Sequence, residues 1–299
     1  MKLEAIVEYN KQQAEKYEWS PEWFGATSFN EHLVSKIKKF QKENGLTADG
    51  MCGPSTYRRI WTERDSQIDV SYKDRYREGQ KYIVHNSLAT EIKWDKVVLW
   101  SEDNGLKCKK GSYTDKSGQV DREPKLFVNH WDVCLSSRSC ARVLNKRKLS
   151  VHFLIDNDGT IFQCLDTQHV AWHAGNFNQN SIGVEISTAY SLKYQDWYVR
   201  NGFGKRPIWD NSFVHGRRLS PFLGFYEVQL DALSALWAAV STATQIPLIS
   251  PTEPHAIPEK IHRENFSGFL CHYHLTRKKI DCAGLSLSVT GGKARLLQE

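Results

Sequence analysis

The sequence predicts an α+β protein in which a mixed β-sheet flanked by helices follows a small three-helix domain. Three observations predict this organisation. Apolar residues recur at helical spacing early in the chain, a charged aperiodic stretch follows, and short β-prone runs then alternate with helical patterns. The boundaries are residues 1–63 for the helical domain, 64–77 for a linker and 78–299 for the α+β domain.

Composition is that of an ordinary globular chain. Of 299 residues, 40% are hydrophobic and 25% are charged, and the formal net charge is +6. This balance suits a polyanionic partner, but the basic residues are dispersed, so we expect no nucleic-acid binding. No apolar run approaches the roughly 20 residues of a membrane span, and residues 1–8 lack signal-peptide character, which predicts synthesis in a cytoplasm and no membrane insertion.

The helical domain is predicted from three segments. Residues 3–18 form a first helix, and a second carries Leu33, Val34, Ile37 and Phe40 on one face before Gly45 ends it. Pro54 suits the first turn of a third helix that ends near residue 61.

The α+β domain is predicted from alternating short strands and helices. Two β-prone runs, 151–156 and 160–165, surround an Asp-Gly turn and predict a hairpin. The insert at 188–225 is aromatic and basic without a clear period, and forms either a groove wall or a cover over the core. The remaining predicted elements are strands at 82–84, 96–100, 126–129, 180–186 and 269–271, and helices at 137–146 and 226–244.

Several polar residues stand at the ends of apolar runs or inside them. Glu185 lies within an Ile- and Val-rich strand, where a carboxylate is costly to bury without a charged neighbour. His130 and His272 end apolar runs, and Asp281 follows nine residues after His272. Two histidines and one carboxylate are a common catalytic zinc set that leaves a fourth position for water.

The helical domain resembles a known binding module. The residues that carry the likeness are Phe40-Gln41, Gly45-Leu46, Asp49-Gly50, Gly53-Pro54 and Thr56. Over residues 5–63 they resemble the three-helix peptidoglycan-binding domain. The resemblance implies that deleting residues 1–63 would weaken wall binding and spare cleavage of small soluble muropeptides.

The larger domain contains an ordered set of motifs. They are His130 at a strand end, Ser-x-His-Phe-x-Ile-Asp-x-Asp-Gly-Thr from Ser150, Ala-Trp-His-Ala-Gly from Ala171, Asn-Ser-Ile-Gly-x-Glu from Asn180, then His272 and Lys-x-Asp from Lys279. Over residues 80–290 these motifs resemble the zinc-dependent N-acetylmuramoyl-L-alanine amidases of the amidase-2 family, which includes phage endolysins and relatives of the peptidoglycan recognition proteins.

The resemblance implies specific roles for residues of this chain. Zn²⁺ would be bound by His130, His272 and Asp281, and catalysis would use Glu185 and Lys279. The residues implied in substrate binding are His173, Trp172, Asn180 and His152, the last of which is alternatively a packed hairpin residue.

Some positions depart from the family pattern and leave alternatives open. Cys282 stands where many relatives have proline, and some relatives use cysteine as a ligand, so Cys282 rivals Asp281. His274 rivals His272 if the chain is still extended there. Trp131-Asp132 replaces the family's usual pair after the first histidine, so some substrate contacts would differ.

These features predict a monomeric cell-wall hydrolase of the phage endolysin type, which cleaves peptidoglycan between N-acetylmuramic acid and L-alanine. The alternatives are a non-catalytic peptidoglycan-recognition protein and a cytoplasmic wall-recycling amidase. The seven cysteines are an odd number, so at least one thiol is free, and Cys134 and Cys140 would pair only in an oxidising space.

Overall fold

The computed structural model describes residues 2–68, 79–119 and 122–299. The N-terminal domain contains helices α1 (Leu3–Tyr17), α2 (Glu31–Glu43) and α3 (Pro54–Asp65), with a 3-10 helix at Pro21–Phe24. Its aromatic core includes Tyr57, which stacks on Tyr17. Helix α3 continues past its predicted end, so residues 64 and 65 of the predicted linker are helical, and residues 69–77 lie outside the described residues.

The turn between α2 and α3 is held by one buried amide. The Gln41 side chain accepts a hydrogen bond from the Gly50 backbone N–H at 2.8 Å and donates to the Met51 carbonyl at 3.0 Å. It also donates to Asp49 Oδ1 at 2.8 Å. A buried amide whose donors and acceptor are used in this way fixes the backbone beside it. The Asp-Gly turn predicted from the sequence is therefore tied to α2.

The larger domain is built on a six-stranded mixed sheet with strand order β14-β5-β9-β6-β7-β3. Strands β6 and β7 form the predicted antiparallel hairpin, and the other neighbours are parallel. The six strands are β3 (Val97–Leu99), β5 (Leu126–Trp131), β6 (Phe153–Ile155), β7 (Ile161–Gln163), β9 (Ser181–Ile186) and β14 (Gly268–Cys271).

Helices cover both faces of this sheet. Phe153 and Ile155 pack in one cluster with helix α6 (Glu227–Thr244), whereas Leu154 packs in another with α4 (Ser137–Lys146) and the N-terminal helices. This alternation follows from the two-residue period of a strand. The described helices after α4 are α5 (Gln195–Arg200), α6, α7 (Pro258–Arg263), α8 (His272–Leu275) and α9 (Leu287–Leu296). The predicted fold class is confirmed.

Shorter strand pairs lie outside the main sheet. The predicted strand near residue 82 is half of a separate hairpin, β1 (Tyr82–His85) with β2 (Leu88–Glu91). Between β3 and β5, the short strand β4 (Tyr113–Thr114) pairs with β8 (Val170–Ala171). None of the described helices combines the length and apolar character needed to cross a bilayer.

The insert at 188–225 is partly regular and fits both alternatives, since most of it covers the core while Arg217 lines a cleft. It contains α5 and two short ladders, β10 (Ile208–Trp209) with β13 (Phe222–Leu223) and β11 (Phe213–Val214) with β12 (Arg217–Arg218). Tyr194, Trp197 and Tyr198 are buried in one cluster. Buried Arg206 donates to the Gly224 carbonyl at 2.8 Å and the Ser187 carbonyl at 2.9 Å. Aromatic stacking and one buried guanidinium that bonds to two backbone carbonyls organise this segment, which explains the lack of a periodic pattern.

The N-terminal domain contacts the sheet domain through α3. Thr62 Oγ1 donates to the Val133 carbonyl at 2.9 Å, and Trp61 Nε1 donates to Ser139 Oγ at 3.0 Å. Arg58 Nη1 donates to the Asp132 carbonyl at 3.1 Å. These bonds place α3 beside the loop that directly follows β5.

Candidate active site

Neighbouring parallel strands bring the predicted site residues to one edge of the sheet. In the register of β5 and β9, His130 lies opposite Glu185. Cys271, at the end of β14, lies opposite Asn129, so His272 begins α8 next to His130. The carboxyl ends of parallel strands share an edge of the sheet, which is the usual location of a site in such folds. Strand pairing therefore explains why residues more than 50 positions apart converge.

His130, His272 and Asp281 form a compact buried group. Asp281 Oδ2 is 3.1 Å from His130 Nδ1 and 3.0 Å from His272 Nδ1. One ligand atom from each residue lies within 4.8 Å of the others. Two imidazoles and one carboxylate are a donor set that suits Zn²⁺.

The protonation of this group also fits a metal. Burial, together with the neighbouring His272, lowers the pKa of His130 to about 4, so its imidazole is neutral at neutral pH. Burial opposes ionisation of Asp281, but His272 and His130 outweigh it and hold the pKa of that carboxyl well below its usual range. A neutral imidazole and an ionised carboxylate are the states that bind metal.

The two rival ligands lie elsewhere. His274 is fully buried, with Nδ1 3.0 Å from the Cys271 backbone nitrogen and Nε2 3.0 Å from the Glu253 carbonyl oxygen. The chain is helical from His272, so positions two apart do not share a face as they would in a strand. Cys282 is also buried but is not part of the group formed by the histidines and Asp281. The geometry therefore favours His272 and Asp281 over these alternatives.

Glu185 is buried in the cleft with unused bonding capacity. Its Oε2 atom has no hydrogen-bond partner among the described residues. Burial raises its pKa to about 8, and the nearby Arg58 and Lys279 oppose this rise. A buried carboxyl with a raised pKa and a free oxygen is suited to exchanging protons. The charged neighbour that the sequence indicated for Glu185 is chiefly Arg58.

His173 and Trp172, which the resemblance implies in substrate binding, both line the cleft. His173 Nδ1 is 3.0 Å from His130 Nε2, and His173 Nε2 is 3.3 Å from Ser181 Oγ. Any Cβ at Gly183 would lie 2.5 Å from the His173 ring. The glycine of the Asn-Ser-Ile-Gly-x-Glu motif is therefore required for His173 to lie against β9.

His152 and Asn180 do not line the cleft. His152 is fully buried: the Gly183 N–H donates to Nδ1 at 3.1 Å, and Nε2 is 3.1 Å from the His169 carbonyl oxygen. Both ring nitrogens are thus used by backbone groups, as expected for the packed alternative. Asn180 is exposed at the end of a 3-10 helix, Gly175–Asn180. Neither side chain is positioned to contact a substrate in the cleft.

The cleft also contains residues that sequence reasoning missed. It is a cavity of about 400 Å³ lined by both domains, including Arg58 and Arg59 from α3 and Arg147 after α4. Lys279, which the resemblance implies in catalysis, also lines the cavity. Nothing local marks Arg58 or Arg59 in the sequence, because their position depends on how α3 docks.

All seven cysteines are buried free thiols. Cys134 and Cys140 lie near Asp132, whose Oδ1 accepts from the Cys134 and Thr188 backbone N–H groups at 2.9 Å. This bonding orders the loop that follows β5 and contacts α3.

Solved structures similar to this chain include the N-acetylmuramoyl-L-alanine amidase LysC from Clostridium intestinale URNW, at 14% identity and TM-score 0.36, covering 67% of this chain and 97% of that one. The Ph2119 endolysin from Thermus scotoductus MAT2119 bacteriophage Ph2119 is similar at 14% identity and TM-score 0.33, covering 62% and 92%. The amidase AmiD from E. coli, in complex with anhydro-N-acetylmuramic acid-L-Ala-D-gamma-Glu-L-Lys, is similar at 19% identity and TM-score 0.35, covering 61% and 66%.

No curated protein matches the sequence. Residues 120–265 match the family model of N-acetylmuramoyl-L-alanine amidase, and residues 25–60 match that of a peptidoglycan binding domain. Both resemblances noted in the sequence are thereby confirmed. The chain carries an amidase domain of the N-acetylmuramoyl-L-alanine amidase family, preceded by a peptidoglycan-binding domain.

Proposed function

We propose that the protein is a zinc-dependent N-acetylmuramoyl-L-alanine amidase that hydrolyses the amide bond between the lactyl group of muramic acid and L-alanine in peptidoglycan. The observation that carries this proposal is the meeting of His130, His272 and Asp281 with Glu185 in one cleft. A protein that only recognised peptidoglycan would not need a complete metal-binding group beside a buried carboxyl.

His130, His272 and Asp281 would hold Zn²⁺, which when bound lowers the pKa of a coordinated water and polarises a carbonyl. Glu185 accepts the proton of the attacking water and passes it to the departing amine of L-alanine. Its burial favours the protonated form, whereas the charges of Arg58 and Lys279 favour the carboxylate, so both states are accessible to it near neutral pH. Lys279 stabilises the negative charge on the former carbonyl oxygen.

His173 and Trp172 orient the substrate in this scheme. Burial and the neighbouring His130 hold the pKa of His173 well below its usual range, so the ring is neutral and adds no repulsive charge beside the metal ligands. Trp172 donates from Nε1 to Thr114 Oγ1 at 3.2 Å, which fixes its indole in the cleft lining. An anchored indole offers a flat apolar surface to the sugar or peptide.

We further propose that the protein acts on intact cell walls, as a phage endolysin made in the host cytoplasm. Its peptidoglycan-binding domain supports this, because an enzyme that recycles small soluble fragments has no need to bind the wall. We propose a helical domain that ends with α3 at Asp65, an α+β domain at 78–299 and a monomeric state.

Zinc content measured together with release of new amino termini from purified peptidoglycan tests the proposal. We expect about one zinc per chain and release of N-terminal alanine that stops with a chelator and returns with added Zn²⁺. The variant Asp281→Asn should lose both zinc and release. Zinc without release would indicate a recognition protein, and release that survives in the zinc-free variant would contradict the metal assignment.

A further inference from the structure

The N-terminal domain forms one wall of the cleft that contains Glu185. Ser55, Arg58 and Arg59 of α3 line the same cavity as His130 and Glu185. The docking of α3 is extended by Glu63, which accepts from Lys193 Nζ at 2.5 Å and Tyr194 Oη at 2.9 Å in the insert. The helical domain thus contributes side chains to the site itself, beyond tethering the enzyme to the wall.

Positive charge dominates the lining of this cleft. The cationic lining residues are Arg58, Arg59, Arg147, Arg217, Lys278 and Lys279. The carboxylates among the lining residues are Glu185 and Asp281, and Asp281 is already paired with two histidines. A cleft with this imbalance attracts anionic substrates.

Three of these guanidinium groups line the same cavity, and the described residues give them no ion pair to a carboxylate, although the charge of Glu185 acts on Arg58 and Arg147. The charge of Arg58 acts unfavourably on both Arg59 and Arg147. Among the described residues, none of the three makes an ion pair with a carboxylate, and Arg147 Nε is buried without a hydrogen-bond partner. Guanidinium groups present a fork of donors that matches a carboxylate, so clustered like charges with unused donors suit a bound anion.

We propose that Arg58, Arg59 and Arg147 form a carboxylate-binding subsite, shared by the two domains, that holds a free carboxylate of the stem peptide during cleavage. The inference rests on the proposed function, which makes an acidic muropeptide the substrate. Two of the three groups come from α3, so removal of residues 1–63 would impair cleavage of small muropeptides. This differs from the separable targeting role that the sequence resemblance implied.

Steady-state kinetics on three soluble compounds test the subsite. The parent compound is N-acetylmuramic acid-L-Ala-D-γ-Glu-L-Lys, and two derivatives carry an amide in place of either the glutamate α-carboxylate or the lysine carboxylate. We expect Arg59→Ala to raise KM for the parent by roughly tenfold with little change in kcat, as loss of one charge-assisted contact predicts. The same variant should have almost no effect on the derivative that lacks the bound carboxylate.

Matched variants separate this role from a structural one. Lys39→Ala removes one positive charge from the same domain at an exposed position outside the cleft, and should behave as wild type on all three compounds. Arg58→Ala should repeat the carboxylate-specific rise in KM and should also lower kcat, because the charge of Arg58 favours the carboxylate form of Glu185. Arg58 also bonds to the Asp132 carbonyl, so Arg58→Ala could fail to fold. In that case the kinetics of Arg59→Ala test the subsite on their own.

The outcomes distinguish this inference from the proposed function. If Arg59→Ala changes KM equally for all three compounds, or for none, the carboxylate subsite is wrong while the amidase activity stands. If the wild-type protein cleaves no compound, the proposed function fails. Calorimetric binding of the same compounds to wild type and Arg59→Ala then still tests the subsite, since it needs no turnover.

Discussion

The two walls of the cleft are built in different ways. The sheet wall consists of His130, Glu185, His272 and Asp281, which are positioned by parallel strand pairing and the loop after α8. The helical wall consists of Gly45, Leu46, Ser55, Arg58 and Arg59, which belong to another domain and reach the cleft because α3 docks beside β5.

This difference separates chemistry from substrate selection. The sheet wall places ionisable groups at fixed strand positions, where main-chain hydrogen bonds leave little freedom. The helical wall depends on a few side-chain bonds between the domains, such as those of Thr62 and Trp61. We therefore expect changes in the sheet wall to abolish turnover and changes in the helical wall to alter affinity and stability by smaller amounts.

Among substitutions in the sheet wall that leave the proposed metal ligands intact, we expect Glu185→Gln to reduce turnover the most. The amide keeps the shape of the side chain but cannot accept the proton of the water, so we expect kcat to fall by roughly 10²- to 10⁴-fold. Zinc content should stay unchanged, because Glu185 is outside the proposed ligand group. Release of amino termini and elemental analysis measure the two effects.

Glu91→Gln is the matched control, since Glu91 is exposed on β2 and outside the cleft lining. A Glu185→Gln enzyme with near-wild-type kcat would remove Glu185 from the mechanism. Loss of zinc in that variant would instead mean that Glu185 helps to hold the metal.

Local patterns predicted the sheet wall well. The strand that carries His130, the hairpin, the Glu185 strand and helix α4 all lie where hydrophobic periodicity and turn residues indicated. The predicted strand ends therefore indicated that His130 and Glu185 could lie close together at one edge of the sheet. Two elements were not predicted. The chain forms a short helix from His272, where the sequence also allowed an extended chain, and helix α9 had no clear signal in the sequence.

The helical wall could not be predicted in the same way. Arg58 and Arg59 are two basic residues on a helix, and such residues usually face solvent. Their partners, including the Asp132 carbonyl and Glu185, lie at least 70 positions away in the sequence. Side-chain bonds over such distances leave no periodic signal. A motif match likewise does not fix where a side chain lies. His152 and Asn180 match the family motifs, yet both lie outside the cleft lining.

The pH dependence of stability in the metal-free protein tests the burial of Glu185. Its pKa is raised from 4.5 to about 8, so the folded state holds this proton more tightly than the unfolded state. The contribution of Glu185 to stability therefore falls as pH rises from about 4.5 to 8, by an amount on the order of a few kcal/mol. Chemical denaturation of the chelated protein at several pH values measures it.

Glu185→Gln isolates this contribution from the buried histidines. His130 and His152 have lowered pKa values of about 4 and about 3, and their effect runs in the opposite direction, since stability rises with pH while the unfolded histidines lose protons. Both proteins share those histidines, so the difference between wild type and Glu185→Gln should show the fall alone. A flat difference between pH 5 and pH 8 would mean that Glu185 is solvated in the absence of metal.

Thr62→Val gives the smallest expected effect and tests the docking of the helical wall. The substitution keeps the side-chain volume but removes the hydroxyl that donates to the Val133 carbonyl at 2.9 Å. Thr62 and Val133 are both buried, and the hydroxyl also lies 3.0 Å from the Arg58 carbonyl oxygen. Its removal takes a donor from the buried Val133 carbonyl, so we expect a loss of about 1 to 2 kcal/mol in the free energy of unfolding. Thr62→Ser retains the donor and should lose less.

If docking of α3 positions Arg58 and Arg59, Thr62→Val should also raise KM for soluble muropeptides while kcat stays close to wild type. A protein with unchanged stability and KM would show that this interdomain bond is not needed to hold the helical wall in place.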